Sequence, residues 1–189
     1  MNTGRRSFLA ASAALVVAGS SGCSGKASDE RQLQFASLGA AEEELARLAQ
    51  AGTLASSASW NWAQTLNHCA QSIEYSMTGF PAAKSMFFQR TVGAAAFGVF
   101  AWRGRMTHDL AEPIPGAPVL DGAAEATQAL ERLRAAILHF HRWTGPMRAH
   151  FAYGELDKKD YELAHAMHLA NHLSAFQARR QGVASLRSK

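Results

Sequence analysis

The chain has 189 residues, of which 48% are hydrophobic and 18% are charged. This composition predicts a globular domain rather than a disordered chain, and the length is too short for two ordinary domains. The formal net charge is +4. It falls to about +2 without Arg5 and Arg6, which lie in a segment that we expect to be removed. Because the sequence has no basic run with interleaved aromatic residues, we expect no nucleic-acid partner.

The first 26 residues have the layout of an export signal. A charged start precedes an apolar run from Phe8 to Ala18, and small residues follow it. This run is about 11 residues long, shorter than the roughly 20 residues that span a bilayer. The stretch GRRSFLA resembles the twin-arginine signal, which directs folded proteins to export; an ordinary secretory signal that carries two arginines is the alternative. We expect residues 1–26 to be a signal peptide and the protein to lie in the periplasm or cell envelope.

Cys23 indicates a second way in which the same segment could be processed, as a lipoprotein signal. Small residues precede it, as at a lipoprotein processing site, but Ser20 stands where such sites usually have leucine. A lipid on Cys23 would attach the protein to a membrane, whereas an ordinary signal peptidase would cleave nearby. If Cys23 is lipidated or lost, Cys69 is the only thiol left. The mature fold would then have no internal disulfide and must be held by packing.

The predicted elements begin with a polar stretch, residues 27–32, which we expect to be a tether. Residues 33–38 could be extended. Ser37 precedes a stretch rich in Ala and Glu, which predicts a helix that ends at Gly52.

The second predicted helix is amphipathic. Ser59 is its expected N-cap, and Gly79 and Pro81 close it. Apolar residues recur at spacings of three and four, which is the period of a helix with one buried face. These residues are Trp62, Leu66, Cys69, Ile73 and Met77.

Three further helices complete the pattern. The third runs from about Ala82 to Met106, with glycines that allow close approach or kinks. A proline-rich loop, EPIPGAPVLDG, separates it from a fourth helix at about Ala123–Trp143. After a linker, Asp157 is expected to cap a final helix that continues to about Arg179.

This order of elements predicts an all-α fold. No strand alternation and no internal repeat are found in the sequence, and four of the helical segments are long enough to pack together. We therefore expect an up-and-down four-helix bundle over residues 33–180, with a short N-terminal segment before the first helix. Residues 181–189 are expected to form a flexible basic tail.

Three histidines lie close together on the final predicted helix. His165, His168 and His172 fall within a sector of about 60° on one helix face. They cannot all bind one ion, because His165 and His172 are about 10 Å apart along the axis. His168 and His172 have the i, i+4 spacing of a chelating pair, and His165 and His168 form a second candidate pair.

A usable metal site needs a third ligand from another part of the chain. His68 is the best candidate, since it lies on a different helix beside the apolar face. Three imidazoles with one open position are typical of a catalytic metal site. Cys69 lies on the apolar face itself, so we interpret it as a buried small side chain rather than a ligand.

Periodicity alone also allows an interpretation without metal. The presumed buried stripe of the final helix lies roughly 130° away from the three histidines, which would place them on a solvated face. That stripe consists of Leu163, Ala166, Met167, Ala170 and Leu173. The other histidines, His108, His139, His141 and His150, are expected at the surface or at an interface rather than as ligands.

Three stretches, in order, resemble an uncharacterised bacterial family of the DinB-like superfamily, the domain-of-unknown-function family 1569. They are NWAQTLNHCAQSIEYSMTGFP, EPIPGAP and HFAYGELDKKDYELAHAMHLANHLSAF, and the likeness covers residues 33 to about 178. The resemblance implies a four-helix bundle in which three histidines hold a divalent metal. One ligand comes from the second helix and two, spaced H-x-x-x-H, come from the last.

On this sequence the implied metal ligands are His68, His168 and His172. Some relatives use such a metal to activate a low-molecular-weight thiol for transfer reactions. Two departures from the family pattern put a thiol cosubstrate in doubt. Asn171 stands where relatives often carry another histidine, and the export signal does not suit chemistry that is usually cytoplasmic.

The sequence therefore predicts an exported metal-dependent hydrolase or transferase that acts on a small-molecule substrate. Zn²⁺ or Ni²⁺ is the preferred metal, with Mn²⁺ or Fe²⁺ as alternatives, since imidazole ligands suit these ions. A non-catalytic protein that binds metal or a partner at the envelope is the alternative function, and a fold with solvated histidines and no metal is the third. We leave open whether the protein forms a dimer.

Overall fold

The computed structural model describes residues 31–179, and most of these residues are helical. The predicted signal peptide, most of the tether and the predicted basic tail lie outside the described residues. Among the described residues no helix is both long enough and apolar enough to cross a membrane. The elements are α1 (Leu38–Ala49), β1 (Leu54–Ser56), α2 (Trp62–Thr78), α3 (Met86–Phe88), a π-helical turn (Gln89–Gly93), α4 (Ala94–Arg103), α5 (Ala126–Arg142), α6 (Lys158–Leu173) and β2 (Phe176–Ala178).

The predicted start signals of the first and last long helices are confirmed. The Ser37 hydroxyl accepts a hydrogen bond from the backbone N–H of Ala40 at the start of α1. The Asp157 carboxylate accepts one from the backbone N–H of Asp160 at the start of α6, with a donor–acceptor distance of 2.7 Å. Each cap satisfies a backbone donor that has no partner inside the helix.

The start of α2 differs from the prediction, because Asn61 rather than Ser59 is the N-cap. The Asn61 side chain accepts from the backbone N–H of Gln64 at 2.9 Å, and the Gln64 side chain accepts from the backbone N–H of Asn61 at 3.1 Å. This reciprocal pair is a capping box, which satisfies two donors at once and so fixes the helix start more strongly than a lone serine can. Gly79 ends α2, as predicted.

The third predicted helix is continuous along the chain but changes its hydrogen-bond pattern. α3 and α4 are joined by the π-helical turn without a gap. Gly104, at a φ of 62°, ends it in the left-handed conformation that glycine adopts most easily. The proline-rich loop that follows is irregular, as predicted.

The end of the final helix was predicted wrongly. α6 stops at Leu173, and residues 176–178 form β2, which pairs antiparallel with β1. Leu54 pairs with Ala178, and Ser56 pairs with Phe176. Because the Phe176 ring is buried and packs edge-on against Trp62 at 5.0 Å, tertiary packing overrides the helical preference of this stretch.

The core lies between the long helices. α2 packs along α5, and α6 packs against both α1 and α2. α6 therefore has packed neighbours on more than one side. Fully buried side chains of the core include Leu38, Leu45, Leu66, Ile73, Leu133, Ile137, Phe140 and Tyr161.

Candidate metal centre

Three histidine rings from two helices meet at one point. The Nε2 atom of His168 lies 3.2 Å from Nε2 of His68 and 3.1 Å from Nε2 of His172. One ligand atom from each of the three residues lies within 4.8 Å of the others. The one-turn spacing of His168 and His172 places both rings on the side of α6 that faces α2, where His68 lies. The three histidines are therefore close enough to hold a metal ion.

The distances suit a shared cation better than hydrogen bonds between the rings. A ring nitrogen carries either one proton or one lone pair, so Nε2 of His168 cannot form two well-directed hydrogen bonds. Ligand nitrogens at about 2.1 Å from a tetrahedral ion are about 3.4 Å apart, close to the distances seen here. The rings are tilted by 59°, 62° and 89° to one another, so their lone pairs approach from different directions.

Burial keeps these imidazoles neutral. His68 and His172 are 3% and 1% exposed, and His168 is partly buried. Burial, with a smaller contribution from His108, lowers the pKa of His68 to about 3. Burial and the neighbouring histidines also hold the pKa of His168 and of His172 well below the usual range. A neutral imidazole has a free lone pair, which is the form that binds a metal.

The alternative interpretation, with a solvated histidine face, is wrong. His165 and His172 are almost completely buried, because α6 is covered on the histidine side as well as along its apolar stripe. His165 lies apart from the three converging rings. Its Nε2 is 3.1 Å from the hydroxyl oxygen of Ser76, and that hydroxyl donates to the backbone carbonyl of Ile73 at 2.7 Å. The Ser76 oxygen must therefore accept from His165.

Two aromatic neighbours enclose the three rings. Trp60 lies 4.9 Å from His68 and is nearly parallel to His172 at 6.4 Å. His108 stacks on His168 at 5.1 Å and lies 5.0 Å from His172, all between ring centroids. His108 was expected at the surface or at an interface; because it lies in a loop, no periodic pattern indicates its position. The Nδ1–H of His108 donates to the carbonyl of Asp109 at 2.8 Å.

Asn171 contacts the loop that carries His108. Its side-chain amide lies 3.4 Å from the backbone carbonyl oxygen of His108, which can accept a hydrogen bond from it. Asn171 thus contacts the loop that carries an additional imidazole. The buried Nδ1 of His68, by contrast, has no hydrogen-bond partner among the described residues. A metal-ligating histidine usually donates its second N–H to an outer partner; the ring of His68 is instead packed against Trp60.

A cavity of about 210 Å³ opens beside the three rings. His68 and His168 lie in its wall, so one side of the histidine cluster is accessible to a small molecule. Most of the remaining wall is apolar, and two charged residues, Lys84 and Glu112, also contribute. The other residues in the wall include Phe88, Met106, His108, Ile114, His150, Phe151, Tyr153 and His165.

His150 also differs from its expected position at the surface or at an interface. It is buried in the cavity wall, next to Phe80, Phe151 and Tyr153, whose ring centroids lie 4.2 to 5.0 Å away. It lies in a short turn that closes between His150 and Gly154, so neither helical nor strand periodicity could have indicated its burial.

Cys69 is in the core, as predicted. It is fully buried, and burial raises the pKa of its thiol. A buried protonated thiol is a poor metal ligand, which is consistent with a site built from imidazoles alone.

The chain matches one known protein family. A family described as "Protein of unknown function (DUF1569)" matches residues 27–179. The chain belongs to this family. No curated protein and no solved structure matches it. The DUF1569 match includes all three converging histidines, His108 and the whole cavity wall, so the candidate site lies within the family domain.

Proposed function

We propose that His68, His168 and His172 hold a divalent metal ion and that the protein is a metal-dependent hydrolase or transferase for a small molecule bound in the adjacent cavity. The observation that carries the proposal is the convergence of three neutral imidazole nitrogens, with His168 at 3.1 and 3.2 Å from its two partners.

The ligand chemistry narrows the choice of metal. Imidazole nitrogen suits Zn²⁺ and Ni²⁺, with Mn²⁺ and Fe²⁺ as alternatives, and it disfavours Mg²⁺ and Ca²⁺, which prefer oxygen. No carboxylate belongs to the three-residue cluster among the described residues. We therefore expect Zn²⁺ or Ni²⁺ to occupy the site.

The cavity favours an enzyme over a purely structural site. Structural zinc is usually enclosed by four protein ligands, whereas a catalytic ion keeps one position open. Here three residues converge and the cavity reaches two of them. A bound metal would supply Lewis-acid chemistry, which polarises a substrate oxygen or activates a nucleophile. The three histidines would fix the ion, and the apolar walls would exclude bulk water from the substrate.

We also propose a fold type and a cellular location for the protein. The packing of α1, α2, α5 and α6 is consistent with an up-and-down four-helix bundle of the DinB-like type. The twin-arginine-like stretch supports export to the periplasm or cell envelope, and Cys23 supports membrane attachment through a lipid. The runner-up function is a non-catalytic metal-binding or interaction protein at the envelope.

Elemental analysis of the folded protein tests the metal site. We expect about one Zn²⁺ or Ni²⁺ per chain in the wild type and none in His168→Ala, because two imidazoles rarely retain a metal. His139→Ala is the matched control, since it removes an exposed histidine from α5. Circular dichroism shows whether each variant is folded. Absence of metal from the wild type, even after incubation with Zn²⁺ and Ni²⁺, would exclude the site. Bound metal without turnover of any ester, amide or thiol-transfer substrate would favour the non-catalytic alternative.

A further inference from the structure

We propose that the cavity contains a second, metal-independent subsite in which Nε2–H of His150 donates a hydrogen bond to an uncharged carbonyl group of an otherwise apolar substrate. This inference deepens the proposed function, because it names a substrate class for the same cavity. It rests on the hydrogen bonds around His150 and His165, which do not involve the three converging histidines.

The backbone fixes the proton on one nitrogen of His150. Its Nδ1 lies 3.1 Å from the backbone nitrogen of Ala152 and 3.1 Å from that of Tyr153. Both backbone groups can only donate, so Nδ1 must be the unprotonated acceptor. A neutral imidazole then carries its proton on Nε2.

That Nε2–H is a free donor. His150 is 8% exposed and lies in the cavity wall. Its Nδ1 accepts both backbone hydrogen bonds, and none of the residues that the structure describes accepts one from its Nε2. His150 Nε2 is not among the fully buried atoms that lack a partner, so it keeps some accessible surface, where an acceptor group of a ligand can reach it.

The donor is also held rigidly. The turn is closed by two hydrogen bonds between the backbones of His150 and Gly154, at 2.7 and 3.1 Å. The carbonyl of Phe151 accepts from the backbone N–H of Lys84 at 2.8 Å and from the side chain of Gln89 at 3.2 Å. A preorganised donor loses little entropy when a ligand binds, so it can select for acceptor position.

His165 supplies the complementary group. Its Nε2–H is donated to Ser76, so its Nδ1 is the lone-pair nitrogen. His165 also lies in the cavity wall. The cavity wall therefore includes one imidazole with a donor nitrogen, His150, and one with an acceptor nitrogen, His165. A primary or secondary amide, which has both a carbonyl oxygen and an N–H, matches this pair better than a carboxylate or an amine does.

The remaining surroundings favour a neutral ligand. Burial lowers the pKa of both His150 and His165 to about 3, so neither imidazole is a cation that would pair with an anion near neutral pH. The two charged residues in the wall, Lys84 and Glu112, are exposed and of opposite sign. A volume of about 210 Å³ is below the roughly 300–1,000 Å³ of pockets for drug-sized ligands, which indicates a one-ring molecule.

Benzamide is a suitable probe, with benzoate and toluene as matched comparisons. In protein labelled with ¹⁵N-histidine, we expect benzamide to shift the Nε2–H signal of His150 and to bind more tightly than benzoate. The test variant is His150→Asn, whose side-chain oxygen can still accept from the two backbone N–H groups while the distal donor is lost. We expect its affinity for benzamide to fall about 2- to 10-fold, the usual value of one hydrogen bond, and its affinity for toluene to stay unchanged.

The outcomes separate this subsite from the metal site. His141→Asn, at an exposed position on α5, should bind benzamide like the wild type. The His150 signal should also shift in His168→Ala, because the donor does not depend on a metal. Equal losses for benzamide and toluene in His150→Asn, or tighter binding of benzoate than of benzamide, would overturn the proposal. Absence of metal from the wild type, together with an intact benzamide response, would refute only the metal site.

Discussion

The backbone carbonyl of Ala152 lies in the space that a side chain at Gly93 would need. A Cβ atom added at Gly93 would be 1.9 Å from that carbonyl oxygen and 2.9 Å from its carbon. Gly93 ends the π-helical turn, and Ala152 lies in the turn that orients His150. The absence of one side chain thus allows an irregular turn to pack directly on a helix and form part of the cavity wall.

We predict that Gly93→Ala destabilises the protein. The obstructing atoms are backbone, which cannot rotate away, so either the helix or the turn must shift, at a cost of about 1–3 kcal/mol or more. Chemical denaturation measures this loss. Gly98→Ala in α4 is the matched control: an added Cβ there meets nothing within 4 Å. Alanine at this helical position should stabilise the protein by about 0.5–1 kcal/mol. Equal stabilities for the two variants would contradict the close approach.

The sequence pattern predicted much of the helical framework for a physical reason. Helix periodicity and capping residues act locally, so Ser37, Gly79 and Asp157 could be recognised as boundaries without any knowledge of the tertiary structure. The same local logic failed at Phe176. Its strand forms because β1 lies beside it, and that pairing joins residues far apart in the chain.

The candidate site was only partly predictable. The one-turn spacing indicated that His168 and His172 could form a pair, but selecting this pair over His165 and His168 required the family resemblance. The burial of α6 could not be read from its periodicity, because both α2 and irregular segments cover its histidine side. His108 and His150 lie in such segments, where side-chain direction follows from individual backbone hydrogen bonds rather than from a repeating pattern.

We predict that protonation of His150 destabilises the fold in mild acid. Burial lowers its pKa from 6.5 to about 3 in the folded state, so the unfolded chain binds more protons between these values. Its contribution to stability is therefore complete above pH 6.5 and is lost progressively as the pH falls towards 3, by up to about 1.4 kcal/mol per pH unit.

Denaturation curves at pH 7 and pH 5 for the wild type and His150→Asn isolate this effect. The asparagine cannot be protonated in this range. Between pH 7 and pH 5 the free energy of unfolding of the variant should therefore fall by about 2 kcal/mol less than that of the wild type. Comparing the two proteins cancels the contributions of the other buried histidines. A pH dependence of the same slope in both proteins would show that His150 is not the neutral, buried group described here.

The Cys69 thiol should be inert in the folded protein. It is fully buried, and burial raises its pKa, so the reactive thiolate is suppressed. In a Cys23→Ser background, we expect no reaction with Ellman's reagent until denaturant unfolds the chain. Cys69→Ala should keep the metal content of the wild type, since the thiol is not among the three converging groups. Rapid labelling without denaturant, or loss of metal in Cys69→Ala, would argue against this placement.

Two neighbouring residues on α5 should differ strongly in their contribution to stability. Arg132 forms hydrogen bonds with both carboxylate oxygens of Glu74 on α2, at 2.9 and 2.6 Å, but its side chain is 40% exposed and that of Glu74 is 33% exposed. Solvent screens such a pair, so Arg132→Ala should cost at most about 1 kcal/mol, and less in high salt.

Leu133 is fully buried between the helices. Leu133→Ala leaves a cavity and should cost about 2–5 kcal/mol, independent of salt. Denaturation of both variants at low and high salt distinguishes the two contributions, and an equal, salt-sensitive loss would show that the ion pair rather than apolar packing holds α2 against α5.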